Sequence, residues 1–430
     1  MTLALIGFVA VLVLAFIGVP LAFSMILIGT AGFAVLRGLD PAMTMLAQQV
    51  VDVSSNYGLS VLPMFILMGL FIFKADISEE LYDAANAWLG HLKGGLAHAT
   101  VLACGLFGAI SGSSIAASAT MSKVAIPPMR RSGYHDAIST GSIASGGVLA
   151  AVIPPSVPLI VYGLLTETDI KKLFLGTLFP GLILVLLFML AIVITIGLRP
   201  KLGPQGQLRS MRERLSKTSK LWSVVVLLIL VMGGMYGGLF TVTESAGIGA
   251  MGALAIGVAR RRLAVKDIIN CMMEATKITT MIFVILFGAL TFANFINLSG
   301  MTFELVMLIE DLGLSRVGVL IAIALIYLVM GCVMESMGLL ILTAPIFLAV
   351  VQNLGVDPIW FGIFVVMMIE IGMLTPPVGM NVFTVKAINP DIPLTTIFAG
   401  TVPFLAACIV IIGLIIAWPD LVMAPTTWVR

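Results

Sequence analysis

Two Pro-Pro pairs, Pro154-Pro155 and Pro376-Pro377, interrupt apolar runs 222 positions apart, each beside polar residues. Proline lacks an amide hydrogen and its ring disturbs the preceding turn, so each pair frees carbonyl oxygens that can face an ion or polar solute. The same offset sets Ser113-Ser114 opposite Glu335-Ser336 and Gly133 opposite Gly355. In the first copy Ser111, Gly112, Ser113, Ser114, Ser118 and Ser156 add hydroxyl and carbonyl oxygens. In the second, Glu335, Ser336, Gly338, Thr375, Gly379 and Asn381 do so. These oxygens suit a small cation such as sodium, and amides exposed at broken helix ends suit an anion.

Each feature has a plainer reading. Prolines kink membrane helices without binding anything, and Gly and Ser let helices pack closely. Glu335 reads equally as a ligand or as a structural ion-pair or hydrogen-bond partner, because an unpaired carboxylate in hydrocarbon costs several kcal/mol. Glu370, six residues before Pro376, is as ambiguous. Asn381 and Thr384 share a helix face after the second break; Ser156, Tyr162 and Thr166 follow the first. Lys123 and Arg130-Arg131 could attract an acidic solute, although orientation in the membrane explains both arginines more simply. Duplication at one spacing favours a transport site, since paired interrupted segments are the sequence mark of a binding site at the bilayer midplane.

The elements that must position these residues are membrane helices. The 430 residues are 60% hydrophobic and 10% charged, with mean hydropathy +1.16, against about 25% charged in a soluble domain. Backbone groups in lipid must bond within the segment, and the short alternating strands of a transmembrane barrel are absent. The net charge of +2, set in short loops, gives no footprint for nucleic acid. Cys104, Cys271, Cys332 and Cys408 are scattered without metal-ligand spacing and read as buried thiols. His91, His98 and His135 show no ligation pattern, and no nucleophile-base arrangement, phosphate loop or ATPase motif is present. The reading is a transporter rather than an enzyme, driven by a gradient or by energy from another subunit, with no cofactor. The N-terminal apolar run lacks a basic leader and reads as a retained helix.

Residues 3–35 contain Gly18-Val19-Pro20 and form one kinked span or two short ones. A span at 59–73 precedes residues 77–92, whose mixed polarity suggests a helix lying in the interface. Residues 91–126 form a continuous helix over 96–118, or two half-length helices meeting at 111–114. Spans follow at 137–165 and 173–198, then a loop over 199–220 with seven basic residues and one acid, Glu213, which should be cytoplasmic. Further spans are expected at 221–239, 245–258 and 278–295, with a second interfacial segment at 267–277. The second copy runs through 317–350, 359–385 and 396–417. The first hairpin-like region ends at Arg130-Arg131, whereas its counterpart ends near Asp357. Opposite loop charge and an odd number of intervening crossings favour inverted repeats.

Several blocks, in this order, resemble the large membrane subunit of the tripartite ATP-independent periplasmic (TRAP) transporters. They are Gly94-Gly95-Leu96-Ala97-His98-Ala99, Gly108 through Ser114, Ile153-Pro154-Pro155-Ser156-Val157-Pro158, Gly237 through Ser245, and Gly372 through Gly379. Val242 stands where the family commonly has proline in Thr-Pro-Thr. The resemblance covers essentially the whole chain. It implies an all-α polytopic membrane protein with inverted repeats, two re-entrant helical hairpins and an elevator motion. The implied organisation is an N-terminal scaffold over 1–56, a first repeat over 57–198 with its hairpin near 95–126, and the basic loop 199–220. Scaffold helices at 221–276, a second repeat over 277–418 with its hairpin near 317–350, and a tail over 419–430 complete it. Segments near 77–92 and 302–312 would be arms, the latter replacing 267–277 as the repeat counterpart. Ser111 to Ser114 with Pro154-Pro155 would frame one sodium region, and Glu335-Ser336 with Thr375-Pro376-Pro377 the other. The solute, between them, would be a C4-dicarboxylate, another carboxylate or sialic acid. Expected partners are a small four-helix membrane subunit and a periplasmic solute-binding protein, at the bacterial inner membrane. Competing readings are a receptor-independent sodium/anion symporter and, further off, an anion channel.

Overall fold

A computed structural model describes residues 2–428, and every regular element among them is helical. The chain begins with α1 (Thr2–Phe16) and α2 (Leu21–Arg37), which pack against each other. The open choice for residues 3–35 is thus settled as two helices, separated where Gly18 takes a φ of +99° and Pro20 caps α2. The polar stretch after them is itself helical, α3 (Leu39–Ser55), because its apolar residues recur at helical spacing and bury Ala42 and Val53. Then come α4 (Val61–Lys74), α5 (Ile77–Leu89), α6 (Gly95–Ser111), α7 (Ser114–Arg131), α8 (Asp136–Val152) and α9 (Val157–Leu165). The first copy closes with α10 (Ile170–Gly176) and α11 (Leu178–Leu198).

Within the basic loop lies a short helix, α12 (Met211–Ser219). It leads at a 53° bend into α13 (Trp222–Leu228), a π-helical turn over Ile229–Gly233, and α14 (Gly234–Tyr236). Next are α15 (Val242–Ala259), started by a reciprocal cap between Thr241 and Glu244, and α16 (Val265–Leu298). No separate interfacial helix exists at 267–277: those residues are the first turns of the 34-residue α16. Their charges sit at its start, where Asp267 caps the helix and pairs with Lys74 at 3.4 Å. The second copy comprises α17 (Met301–Asp311), α18 (Arg316–Gly331), α19 (Ser336–Gln352), α20 (Pro358–Gly372), α21 (Met380–Ile388) and α22 (Leu394–Ala417), before α23 (Asp420–Met423).

The 222-residue offset maps α5 through α9 onto α17 through α21 to within about two residues at each boundary. Both Pro-Pro bonds are cis, and Gly133 and Gly355 both take positive φ, +77° and +70°. Two long-range contacts give the relative orientation of the copies. At one end Arg130, in the last turn of α7, bonds Asp136 at the start of α8 at 2.8 Å and also Asp391, beyond the end of α21, at 2.6 Å. At the other, the Tyr162 hydroxyl near the end of α9 donates to the carbonyl of Pro358, the first residue of α20, at 2.7 Å. The start of each broken span therefore lies at the finish of the other. The copies are inverted.

Two bodies of packing surround this arrangement. Helices α2 and α16 lie together, as do α4 and α15, whereas α6, α7, α8 and α22 form a second cluster. Gly141 of α8 and Gly400 of α22 bring those backbones into contact, as small residues do where helices associate in lipid. Helix α5 joins the bodies and is tied down by charge. Glu80 bonds Arg260 at 2.7 Å and Arg262 at 3.0 Å, and Asp83 bonds Lys217 of α12 at 2.5 Å. The basic clusters at 199–220 and 260–262 thus hold this connecting helix. Among the described residues, six helical segments are long and apolar enough to cross a membrane, Tyr57–Lys74, Asp136–Leu165, Ile170–Leu198, Val242–Ala259, Val265–Leu298 and Leu394–Ala417, and a seventh if the bent pair at α12 counts as one.

Candidate functional site

The first hairpin consists of two helices, α6 and α7, rather than the continuous helix that 96–118 also allowed. Gly112 turns the chain with a φ of +61°, and Ser113 caps α7 by accepting from the Ala116 amide at 3.3 Å. A side chain at Gly112 would be strained and would meet the Pro155 carbonyl oxygen at 2.8 Å. The tip is seated on the break of its own repeat, where the Val157 amide donates to the Gly112 carbonyl at 3.3 Å. Ser156 caps α9 and donates back to the Ala151 carbonyl, covering an oxygen that the prolines leave without its helical donor. The hairpin continues past the expected end at 126, through Pro127 and Pro128, to Arg131. Proline's fixed φ is helical, so two prolines near a C terminus forfeit donors without ending the helix; Ser132 and the left-handed Gly133 end it.

The second hairpin, α18 and α19, turns at residues 332–335 and is seated in the same manner. The Gly379 amide donates to the Cys332 carbonyl at 3.0 Å, and Gly379 itself has φ +64°. Among the described residues Glu335 forms no ion pair. Its Oε2 accepts from the Met337 and Gly338 amides at 3.0 and 3.1 Å, capping α19, and its Oε1 accepts from Ser336 at 3.2 Å. The sequence allowed a bond across the hairpin; the bonds are local because a carboxylate at a helix start satisfies otherwise orphaned amides. Close approach of Gly331 to Gly372 lets α18 lie against α20. Thr375 donates to the Ile371 carbonyl at 2.8 Å, and Thr384 to that of Met380 at 2.8 Å, so both hydroxyls stay on their own helices.

Of the two predicted groups, the first meets through Gly112 with Pro155 and Val157, and the second through Cys332 with Gly379, while Gly338 lies toward Leu21 of α2. Asn381 does not stay with the second group. It is fully buried where α21 meets α7 and α8, near Gly147 and Ser118. Glu370, left ambiguous by sequence, is fully buried on α20 and accepts from the Ser114 hydroxyl at 3.3 Å, linking the first hairpin to the second broken span. Among the described residues, Glu370 Oε2, both amide atoms of Asn381, and the hydroxyls of Ser111, Ser118 and Ser145 are buried without a partner. Neither Ser145 nor Gly147 was singled out by sequence, and the signal that could have found them is the run of small residues in α8, Ser139 to Gly147.

An inverted pair of hairpins seated on broken spans, with unpartnered oxygens between them, is an arrangement for binding and moving a solute. The family model of the tripartite ATP-independent periplasmic transporter, DctM component, matches residues 8–421. This chain belongs to that family. The C4-dicarboxylate TRAP transporter large permease protein DctM of Pseudomonas aeruginosa is 36% identical over 89% of this chain and 89% of its own length. The sialic acid TRAP transporter large permease protein SiaM of Vibrio cholerae is 30% identical over 95% of this chain and 94% of its own. At the level of fold, the crystal structure of the Alcanivorax borkumensis YdaH transporter aligns with a TM-score of 0.62 over 89% of this chain and 90% of that one, at 15% identity. The DctM-family chain is thus a polytopic inner-membrane transporter with an all-α, inverted-repeat fold. It is a large permease subunit of a transporter.

Proposed function

We propose that this permease carries a small organic anion inward down a sodium gradient, after the anion has been delivered by a periplasmic solute-binding protein. A small four-helix membrane subunit completes the complex. Ser111 to Ser114 with Pro154, Pro155 and Ser156 frame one sodium region; Glu335, Ser336 and Gly338 with Thr375, Pro376, Pro377 and Gly379 frame the other. The anion lies between them, and Asn381 borders that space. The observation that carries this reading is the seating of both tips on both breaks, Val157 to Gly112 and Gly379 to Cys332, which places backbone oxygens and helix starts together twice. The donor set fits a hard monovalent cation, being hydroxyls, carbonyls and few carboxylates. The substrate class follows from relatives whose named cargoes, C4-dicarboxylate and sialic acid, are both carboxylates.

In the same reading, α6 to α11 with α18 to α22 form the moving body, and α1 to α4 with α13 to α16 the scaffold. Helices α5 and α17 are the arms between them. Support comes from the two packing clusters and from α5, whose ion pairs reach Arg260, Arg262 and Lys217 on the scaffold side. The test is flux of a C4-dicarboxylate or sialic acid into proteoliposomes holding the permease and small subunit, with and without receptor and inward sodium. Accumulation should require both. Equal flux without receptor would replace the tripartite reading by a simple symporter, and currents far above carrier turnover would replace it by a channel.

A further inference from the structure

At the end of the molecule that carries the basic loop, a groove of about 560 Å³ opens between the last turn of α11 and the first turns of α22. The start of α8 closes it from behind with the buried Ile138. The two flanking helices face lipid. Helix α11 is exposed at Leu182, Leu186, Leu190, Ile194 and Leu198, one residue in every four, α22 is exposed at Val402, Ile409 and Val410, and neither helix carries a charged residue. A groove between two such helices opens to acyl chains rather than to water.

Its polar features say which lipid fits. Pro403 lies inside α22 and has no amide to give, so the carbonyl of Ala399, four residues before it, lacks its helical donor. Both residues line the groove, and a backbone carbonyl at membrane depth needs a donor from elsewhere. The rim is basic. Arg199 lines it at the end of α11, Lys201 follows on the turn Pro200–Leu202, and both are exposed. Neither forms an ion pair among the described residues. The acids at this end, Asp136 and Asp391, are both bonded to Arg130 and do not offset that charge. His135, also on the rim, accepts the Ala137 amide on Nδ1 at 3.1 Å, which leaves Nε2 as a further donor.

We infer that this groove binds an anionic phospholipid of the inner leaflet with a hydroxyl-bearing headgroup, of which phosphatidylglycerol is the simplest. An acyl chain lies along α11 and α22, the phosphate meets Arg199 and Lys201, and a headgroup hydroxyl donates to the Ala399 carbonyl. A choline headgroup has no donor for that carbonyl and sets its own positive charge against the rim. An ethanolamine headgroup supplies a donor but brings the same charge. The bound lipid bridges the closing helix of the first copy and α22 of the second, so it stabilises the copies against each other. The site is independent of sodium coupling and of the cargo.

The test is thermal unfolding of the purified permease and small-subunit complex in detergent, titrated with dioleoylphosphatidylglycerol or with dioleoylphosphatidylcholine. The glycerol lipid should raise the unfolding temperature with a midpoint at least about fivefold lower in lipid concentration than the choline lipid. Arg199→Gln should raise the glycerol-lipid midpoint about fivefold, as expected for loss of one basic contact to an anionic lipid. Ala399→Leu, which fills the groove from an exposed position, should raise it at least as far. Arg212→Gln removes an exposed charge of α12 outside the groove and should keep the unmodified midpoint. Equal midpoints for the two lipids, or no response to either, overturn headgroup recognition at this groove. An equal shift in Arg199→Gln and Arg212→Gln reduces the effect to general surface charge and overturns the site. A midpoint that Ala399→Leu leaves unchanged also overturns it, since the groove is then covered by the small subunit or left unused by lipid.

Discussion

The two hairpin-and-break units share connectivity and backbone turns but differ in what surrounds them. Pro154, Pro155 and Ser156 are buried, and scaffold helix α4 reaches the first tip, where a Cβ on Gly69 would lie 3.1 Å from the Ser111 Cα. Pro376 and Pro377 are exposed, and Val333 in the second tip is 39% exposed. One unit is covered by protein and the other is open. Under the proposed carrier reading, such an inequality between symmetry-related units is what one of two alternating conformations would show. It also separates two left-handed glycines: Gly112, in the covered unit, would press a side chain onto backbone at 2.8 and 3.0 Å, whereas Gly379, in the open one, meets its neighbours at 3.2 Å or more.

The largest expected consequence concerns those glycines. Gly112→Ala places a side chain at φ +61° and against the Pro155 oxygen and Val157 nitrogen, at 2.8 and 3.0 Å, which backbone atoms cannot easily vacate. Left-handed strain of about 1–2 kcal/mol combines with overpacking of about 1–3 kcal/mol. Gly379→Ala carries the same strain at φ +64°, but its neighbours stand further off: the Phe398 ring edge and the Thr375 carbonyl oxygen at 3.2 Å, and the Met373 carbonyl oxygen at 3.3 Å. Thermal unfolding of the two variant complexes should show Gly112→Ala as the more destabilised by about 1–3 kcal/mol. Equal losses would mean that coverage does not distinguish the units.

A smaller effect reads coverage directly. All four native cysteines are buried, so an introduced thiol can be followed against a quiet background. A membrane-impermeant maleimide should label Val333→Cys roughly tenfold faster than Ser156→Cys, because reactivity follows exposure of the thiol. When conditions drive the carrier to its other state, Val333→Cys should slow. A rate for Val333→Cys that no combination of sodium and substrate alters would speak against two states that exchange coverage of the second tip.

Much of this architecture was legible in sequence because a few residue types have few alternatives. Pro-Pro pairs, Gly133 and Gly355 fix backbone geometry that other residues do not adopt, so a constant offset between them survived while most other positions diverged, and the helix boundaries follow it. Inversion was legible through the charges near Arg130 and Asp357. Assignments failed where polarity stood in for structure. The segment at 267–277, expected as a separate interfacial piece, is instead continuous with a long membrane helix, since its charges report only one wet face. The site residues divided in the same way. Glu335 was visible as a carboxylate, but its capping role depends on where α19 starts. Glu370 and Asn381 gain their importance from α7 and α8, which lie more than 200 residues away in sequence and only the fold brings near.

The smallest predicted effects sit at the two ends where the broken spans meet, and they differ in kind. The Arg130 contacts to Asp136 and Asp391 are exposed, with side-chain exposures of 38%, 32% and 59%, so salt and side-chain entropy reduce what they contribute. The guanidinium holds the Asp391 carboxyl below its ordinary range. A depressed carboxylate contributes stability above the unfolded value, near pH 4, and loses it as pH falls through the lower folded value. Asp391→Asn should therefore lower the unfolding temperature slightly at neutral pH and low salt, with the difference from the unmodified complex closing in high salt and again in acid. The Tyr162 hydroxyl at the opposite end is shielded, and Tyr162→Phe leaves the Pro358 carbonyl short of a donor at a cost of about 1 kcal/mol. Because a neutral, buried hydrogen bond has no screened charge, that loss should persist at every salt concentration. If the two variants instead responded to salt alike, the ends of the inverted pair would be held by the same kind of force, and the contrast between a covered and an open half would not extend beyond the hairpin tips.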